Sequence, residues 1–354
     1  MKITDIQFEK VKIKLKDPIV VAFATLEYGE TILIKVVTDE GIVGFGEAAP
    51  FAPVTGELLE STLVVLGEMK KLLIGLDPLA IEHIHAVMDK AFYGNTAAKA
   101  GIDIALYDIK GKVLNQPLYK VLGGDSPKVL TDITIGIDTP EKMAALAKEY
   151  VAEGYRILKI KAGISPEDDI EAIRQIRAAV GNGIRLRIDA NQGWTVNSSI
   201  RTMKAMEPFA IDAIEQPLPY WDIEGTAFLR KRIESAVMLD ESLHSPKDAL
   251  HIVRSRAADF MNIKLMKSAG LYPAMKINVI AESAGVNCMV GCMLETKLAI
   301  TAAASLVAAM NNITEADVDS FKFFNDTTVT GGFEIEGDII TLSEKPGLGI
   351  EINM

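Results

Sequence analysis

Apolar and polar residues follow two different rhythms along the chain. In the first third, three segments alternate with the period of two that is typical of β-strands, at residues 1–16, 31–39 and 42–47. Three further segments carry apolar residues at helical spacing, at 56–75, 78–92 and 95–114. The pattern predicts antiparallel strands followed by helices, an α+β arrangement. Residues 17–30, between the first two strands, are predicted to form a long loop with a functional role.

A regular alternation of strands and helices begins near residue 129. Eight short apolar runs predict strands, at 129–137, 156–163, 184–190, 211–217, 236–242, 259–265, 287–293 and 313–319. The helix predicted at 166–180 begins with Ser165 as a candidate cap and Pro166 at the first helical position. Eight strands with seven intervening helices predict a parallel (β/α)7β barrel, a modified TIM barrel whose last helix is missing or replaced. A Rossmann-type sheet would need a phosphate-binding turn after its first strand, and the sequence has none.

The two rhythms predict two domains. Residues 1–118 would form the α+β domain, to which the C-terminal segment 323–354 returns, and residues 119–322 would form the barrel. The length of 354 residues and a hydrophobic content of 49% suit two domains with sizeable cores.

Composition narrows the range of partners and locations. The formal net charge of −11, without a basic stripe, argues against binding to nucleic acid or to an anionic membrane. No apolar run has the length of a membrane span, and the first residues resemble a strand more than a signal peptide. Two cysteines cannot build a disulfide framework. We therefore expect a cytoplasmic protein that acts on a small molecule.

Charged residues recur at the carboxyl ends of successive predicted strands. Lys161, Asp189, Glu215, Asp240 and Lys264 are separated by 28, 26, 25 and 24 residues, which is one per strand–helix unit. The carboxyl ends of barrel strands meet on one face, where the catalytic residues of such enzymes lie. The spacing therefore predicts that these five side chains converge at one mouth of the barrel.

The three acidic residues in this series predict a metal site. Carboxylates from adjacent strands form a hard, oxygen-rich site that suits Mg2+ or Mn2+ better than zinc. The alternative is that Asp189, Glu215 and Asp240 each cap a loop or pair with a lysine. Three acids in register favour the metal.

Two lysines share one strand in "YRILKIKAG". Lys159 and Lys161 are two residues apart and point to the same face, about 6.6 Å from each other along the strand. At an effective dielectric constant near 20, they repel by about 2.5 kcal/mol. This repulsion predicts that Lys161 is a base active near neutral pH and that Lys159 is a supporting charge. Lys264 would stand on the other side of the three protein carboxylates. Such a site suits a reaction in which one lysine removes a proton from the carbon next to a substrate carboxylate and a proton returns to the opposite face of that carbon.

The segments "KIK", "DANQGW", "EQP", "DES" and "NIKL", in this order and spacing, resemble the enolase superfamily, and more narrowly its muconate-lactonising subgroup. The resemblance extends over essentially the whole chain and implies an α+β capping domain on a (β/α)7β barrel. It implies one Mg2+ per subunit, held by Asp189, Glu215 and Asp240. It also implies an isomerase in which Lys161 and Lys264 have acid/base roles, with Lys159 in support. Separately, we expect a homo-oligomer.

Within this subgroup, two aspartates resemble those of the dipeptide epimerases. "EADVDS" places Asp317 and Asp319 two apart at the end of the eighth strand, like the Asp-x-Asp that binds the substrate's α-ammonium in those enzymes. The alternative is an ordinary acidic turn. The segment "MVGCMLETKLAITAAA", which includes Met293, resembles the corresponding stretch of the Ala-Glu epimerases.

The sequence departs from the Ala-Glu epimerases in one respect. Those enzymes are expected to carry an arginine in the capping-domain loop, where this chain has Ala24. The neighbouring residues are apolar: Phe23, Leu26, Phe51 and Val54. They form either a substrate pocket or part of the capping-domain core. A pocket of this kind favours an apolar or aromatic C-terminal residue, because an unpaired carboxylate would lose its solvation there.

The sequence therefore predicts a dipeptide epimerase that acts at the α-carbon of the C-terminal residue. The alternatives within the subgroup are an o-succinylbenzoate synthase and an N-acylamino-acid racemase. Less related alternatives are a Schiff-base lyase and a barrel that binds a metal and a ligand without catalysis.

Overall fold

A computed structural model describes residues 1–325 and 328–352 of the chain. The N-terminal part is a three-stranded antiparallel sheet in the order β1-β2-β3, made by β1 (Ile3–Val21), β2 (Ala24–Thr38) and β3 (Val43–Ala48). Five helices follow: α1 (Ala52–Thr55), α2 (Leu59–Leu73), α3 (Ile81–Ala91), α4 (Thr96–Val113) and α5 (Leu118–Val121). The predicted order of strands and then helices is therefore confirmed.

Helix α4 packs closely on β3 because two glycines on that strand leave room for its backbone. A Cβ atom on Gly44 would lie 2.2 Å from the carbonyl oxygen of Ala105, and one on Gly46 would lie 1.9 Å from that of Gly101. No side chain fits at these distances. The α+β part thus gains a dense core beneath the sheet.

The predicted loop at residues 17–30 is wrong. β1 and β2 continue as a hairpin through this segment, with Val21 opposite Ala24 and only two residues in the turn. A register irregularity between Lys14 and Ile19 interrupts the pairing. The tip reaches the barrel, where the carbonyl of Val20 accepts a hydrogen bond from the amide of Ile137 at 2.9 Å. The sequence offered no clear turn signal here, and the contact with the barrel supports the extended tip.

After a short strand, β4 (Lys128–Leu130), the chain builds the barrel. Its eight strands are β5 (Ile133–Ile135), β6 (Ile157–Lys161), β7 (Arg185–Asp189), β8 (Ile211–Glu215), β9 (Ala236–Leu239), β10 (Phe260–Lys264), β11 (Asn287–Gly291) and β12 (Ile313–Asp317). They form one parallel sheet in sequential order. Between β5 and β12, the amide of Asp132 donates to the carbonyl of Ala316 at 3.2 Å, so the two edges of the sheet meet.

Helices connect consecutive barrel strands. They are α6 (Pro140–Ala152), α7 (Pro166–Val180), α8 (Val196–Met206), α9 (Ile223–Arg230), α10 (Pro246–Ser255), α11 (Leu265–Ser268), α12 (Leu271–Ser283) and α13 (Lys297–Ala309). A 3-10 turn, Ser320–Phe323, stands where an eighth helix would follow β12. The predicted (β/α)7β architecture is confirmed.

The N-terminus of helix α7 has the cap that the sequence predicted. The side chain of Ser165 accepts a hydrogen bond from the amide of Asp168 at 3.3 Å, as expected for an N-cap. Ile173 and Ile176 are buried on the inner face of the helix. The predicted range of 166–180 matches the observed one.

The C-terminal segment closes against both parts of the molecule. β13 (Val329–Gly331) pairs with β16 (Ile350–Ile352), while β14 (Phe333–Glu336) and β15 (Ile339–Leu342) form a sheet with β4. The predicted strand 129–137 is thus divided, because its first residues pair with this tail and only β5 enters the barrel. The amide of Leu348 donates to Asp108 on α4 at 2.8 Å. Within the described residues, no helix has both the length and the apolar character needed to cross a membrane.

Candidate active site

A cavity of about 460 Å³ opens at the carboxyl ends of the barrel strands, under the tip of the β1–β2 hairpin. Most of the predicted site residues line it: Phe23, Leu26, Phe51, Val54, Lys159, Lys161, Asp240, Lys264, Met293, Asp317 and Asp319. Asp189 and Glu215 lie below its surface, and Ala24 is not among the lining residues. The volume is in the range of pockets that enclose small molecules.

The strand register brings the predicted charged residues together. Lys161 pairs with Asp189 across β6 and β7, and Asp189 pairs with Glu215 across β7 and β8. Asp240 directly follows β9. The three acids are each at most 3% exposed, so their carboxylates lie in a nearly dry environment, although among the described residues they do not all come within 4.8 Å of one another as those of Asp317 and Asp319 do with the sulfur of Cys292.

Lys159 is surrounded by carboxylates, which the sequence did not indicate. Its Nζ atom lies 3.0 Å from Asp189, 2.9 Å from Glu215 and 2.7 Å from Asp317. Although burial lowers it, these carboxylates raise the pKa of Lys159 well above its usual value. The charge of Lys159 is therefore balanced by its neighbours. The repulsion between Lys159 and Lys161 calculated from strand geometry alone did not include these carboxylates and does not describe the folded site.

Lys161 and Lys264 lie on either side of the carboxylates. Lys161 contacts Asp189 at 2.7 Å from β6, and Lys264 contacts Asp240 at 2.9 Å from β10. Although burial lowers it, the Asp240 carboxylate raises the pKa of Lys264. A substrate bound over the carboxylates would have one lysine near each face.

A third lysine, Lys267, was not singled out from the sequence. It is fully buried in α11 and contacts both the carboxylate and the backbone carbonyl of Asp240. Although burial alone would raise it, Lys264 and Lys267 hold the pKa of Asp240 well below its usual range. Lys267 fixes the orientation of this carboxylate from beneath.

The three acids fit a divalent cation by their chemistry. Asp189, Glu215 and Asp240 present carboxylate oxygens from adjacent strands, which is the donor set that Mg2+ prefers. Asn262 holds one oxygen of Glu215 in place, with Nδ2 donating to Oε1 at 2.7 Å. Burial, followed by the carboxylate of Asp189, raises the pKa of Glu215.

Asp317 and Asp319 lie close together at the end of β12 and just after it. Asp317 contacts Lys159, and the Oδ2 atom of Asp319 accepts a hydrogen bond from the amide of Thr134 at 2.7 Å. Their carboxylate oxygens and the sulfur of Cys292 all lie within 4.8 Å of one another. Burial and the neighbouring Asp317 carboxylate raise the pKa of Asp319 to about 7. This arrangement attracts a cationic group to the cavity wall.

The hairpin tip and α1 supply an apolar wall. The rings of Phe23 and Phe51 are 6.1 Å apart, and both side chains line the cavity rather than lying wholly inside a core. One cation, missed in the sequence, reaches this part of the cavity from β1: Lys12. It pairs with Glu30 at 2.7 Å and lies 4.5 Å above the ring of Tyr28, so its charge already has partners.

Several polar residues of the cavity were also missed, among them Asn191 and Glu241. Each of these two lies within two residues of a predicted acid, in "DANQGW" and in "DES". Such adjacency is the one signal the sequence contained. It could not show which way the side chains point.

The fold and this site define an enolase-type barrel with lysines and buried carboxylates at its mouth, and comparison with known proteins gives its family. Residues 3–123 match the "Mandelate racemase / muconate lactonizing enzyme, N-terminal domain" and residues 142–354 match the "Enolase C-terminal domain-like" family. The chain belongs to the enolase superfamily, in its mandelate racemase and muconate-lactonizing branch.

Individual relatives are epimerases. The chain is 44% identical to a hydrophobic dipeptide epimerase of Enterococcus faecalis, over 99% of both chains. It is 42% identical to an L-Ala-D/L-Glu epimerase of Clostridium acetobutylicum, again over 99% of both. A solved structure of the dipeptide epimerase from E. faecalis, in complex with Mg and L-Leu-L-Tyr, superposes with a TM-score of 0.97 over 99% of this chain and 100% of that one. The expectation of an isomerase related to the dipeptide epimerases is confirmed.

Proposed function

We propose that this protein is a magnesium-dependent dipeptide epimerase that inverts the α-carbon of a C-terminal residue with an apolar or aromatic side chain. The observation that carries the proposal is the cavity, in which two lysines flank buried carboxylates and which is lined by both apolar side chains and a pair of aspartates. Asp189, Glu215 and Asp240 would hold the metal. When bound, Mg2+ supplies positive charge that stabilises the substrate carboxylate while negative charge develops on it.

The two lysines supply the proton transfer. Lys161 would remove the α-proton from one enantiomer and Lys264 would return a proton to the opposite face, with the roles reversed for the other enantiomer. Lys159 keeps the carboxylates in place because it contacts three of them at once. Each lysine therefore has a separate task in the reaction.

Two groups of residues that line the cavity support a dipeptide substrate. Asp317 and Asp319 offer a negative site for the free α-ammonium. Phe23, Leu26 and Phe51 offer an apolar surface for the C-terminal side chain. The printed name of the E. faecalis relative, a hydrophobic dipeptide epimerase, agrees with this preference. An N-acylated amino acid or a succinylbenzoate precursor has no ammonium for the aspartates, which disfavours both alternatives.

The test is exchange of the substrate α-proton in D2O with a library of L,L-dipeptides and their epimers. Wild-type protein with Mg2+ should exchange and epimerise dipeptides whose second residue is apolar or aromatic. Lys161→Ala and Lys264→Ala should each abolish epimerisation, while each still exchanges the enantiomer served by the remaining lysine. Lys142→Ala, which removes an exposed lysine paired with Asp138, is the matched control and should behave as wild type.

Three results would reject the proposal. Normal turnover after loss of either lysine would exclude the two-base reaction. Exchange confined to N-acylated amino acids would favour the racemase. Covalent trapping by borohydride with activity retained in EDTA would favour the Schiff-base lyase.

Other properties stay predictions. They are the division into residues 1–118 with 323–354 and residues 119–322, the homo-oligomeric state and the cytoplasmic location. The first is supported by the contact of the C-terminal segment with α5, where the amide of Leu118 donates to the carbonyl of Gly347 at 2.8 Å.

A further inference from the structure

Lys161 has a second partner besides the carboxylate of Asp189. Its ammonium donates to the amide oxygen of Asn191 at 3.1 Å. Asn191 is 7% exposed, and its Nδ2 group donates to Oε1 of Glu241 at 3.1 Å. An asparagine amide has an acceptor at one end and donors at the other. Because Glu241 takes the donor end, the oxygen is turned toward Lys161.

The backbone around Asn191 is also held. Its φ of 39° is in the left-handed region, which asparagine tolerates better than most residues. Its amide donates to Oδ1 of Asp189 at 3.0 Å, which closes a tight turn directly after β7. Both ends of the Asn191 side chain are therefore fixed, one by this turn and the other by Glu241.

The burial of Glu241 is energetically unfavourable. The residue is 2% exposed, and its Oε2 atom has no hydrogen-bond partner among residues 1–325 and 328–352. A buried carboxyl oxygen without a partner is unfavourable and needs a reason. The other oxygen, Oε1, accepts the hydrogen bond from Asn191, so one benefit of Glu241 is the orientation of that amide.

We propose that Glu241 and Asn191 form a positioning pair for Lys161, in which the hydrogen bond to the Asn191 amide orients this one of the two proton-transfer lysines and not the other. The inference rests on the proposed function. A neutral amide oxygen suits the task, because it aims the lysine without adding negative charge that would hold its proton. Lys264, by contrast, forms its ion pair with Asp240 and has no hydrogen bond to Asn191 or Glu241 within the described part of the chain, and the Glu241 carboxylate acts on it only by raising its pKa through charge.

The test uses Asn191→Gly, since glycine keeps the left-handed backbone and removes only the side chain. α-Proton exchange in D2O is measured separately for the two epimers of one dipeptide, with Mg2+ saturating. One of the two epimers is the one whose α-proton exchange is lost in Lys161→Ala. In Asn191→Gly the exchange rate of that epimer should fall by roughly ten- to a hundredfold, which is the scale of the effect of a misaligned catalytic group. Exchange of the other epimer should stay within about twofold and serves as an internal check on folding and metal binding.

Two further variants sharpen the comparison. Gln192→Gly is the matched control, because Gln192 is also left-handed, with a φ of 67°, and its side chain bonds the backbone of Tyr220 instead of a lysine. It should leave both rates within about twofold. Glu241→Gln keeps an oxygen that can accept from Asn191, so it should retain more Lys161-side exchange than Asn191→Gly.

The outcomes separate the two proposals. Equal loss of both rates in Asn191→Gly, or no loss of either, overturns the positioning role. A wild-type protein that exchanges neither epimer of any dipeptide overturns the proposed function itself. Selective loss of the Lys161-side rate supports both, since a purely structural defect would slow the two rates together.

Discussion

Replacing Lys159 with methionine should destabilise the protein by an amount that the structure allows us to estimate. The ammonium is 2% exposed and touches the carboxylates of Asp189, Glu215 and Asp317. Removing one partner from a buried ion pair typically costs about 3–5 kcal/mol, because the remaining charge is left uncompensated. With an unfolding entropy of about 2.1 cal/mol/K per residue, this corresponds to a drop of roughly 4–7 °C in the unfolding midpoint for a chain of 354 residues.

The assay is thermal unfolding of wild type and Lys159→Met in EDTA and in excess Mg2+. In EDTA the deficit should grow between pH 5 and pH 8, because at low pH the carboxylates can take up protons instead of repelling one another. Mg2+ should raise the unfolding midpoint of the variant more than that of wild type. The reason is that two of the three carboxylates that lose the Lys159 ammonium, Asp189 and Glu215, are proposed metal ligands. Lys142→Met, at an exposed pair, should change stability by less than about 0.5 kcal/mol.

Two results would refute this reasoning. Equal midpoints of wild type and Lys159→Met in EDTA would show that Lys159 does not balance the carboxylates. An equal effect of Mg2+ on both proteins would show that the metal binds away from Asp189 and Glu215.

Three other predictions concern the substrate and the metal. Phe23 is 41% exposed, and Phe23→Ala should raise KM about tenfold for dipeptides with an aromatic second residue, because about 1.4 kcal/mol of apolar contact is lost. The KM for Ala-Ala should stay unchanged. An equal change in KM for both kinds of dipeptide in steady-state assays would argue against an apolar subsite. The pKa of Asp319 is raised to about 7, so below this pH its carboxyl group is protonated and does not attract an ammonium. The KM for a dipeptide at pH 6 should therefore be about tenfold above its value in alkaline buffer. A KM that does not change with pH would contradict this. EDTA should stop α-proton exchange and Mg2+ should restore it, whereas activity that survives EDTA would exclude the metal site.

The barrel was predictable because its signals are local and repeated. Each strand is a short apolar run, each helix has a stripe and often a cap, and the observed strands fall within the predicted ranges. Regular spacing also placed one charged residue at the end of each of five strands. Since parallel strands of a barrel align their carboxyl ends, the convergence of Lys161, Asp189, Glu215, Asp240 and Lys264 follows from the fold class alone.

The hairpin and the C-terminal segment were less predictable, since their structure depends on distant partners. Residues 17–30 have no strong turn signal, and the tip of the hairpin bonds to Ile137 of the barrel, far away in the sequence. The strand predicted at 129–137 is divided because its first residues pair with β15, more than two hundred residues further along the chain. A local pattern contains no information about such pairings.

The sequence by itself thus determined the barrel architecture and five of the charged residues that converge at its mouth, whereas the tertiary structure added Lys12, Glu241 and Lys267 and decided how each charge is balanced. The spacing placed Lys159 and Lys161 on one face, but only the fold shows that Lys159 is enclosed by three carboxylates while Lys161 faces the cavity beside Asn191. Likewise, only the fold brings Lys12 and the aromatic rings around one pocket. The physical reason is that a residue's charge and type are local properties, whereas burial and electrostatic balance depend on every strand that meets at the site.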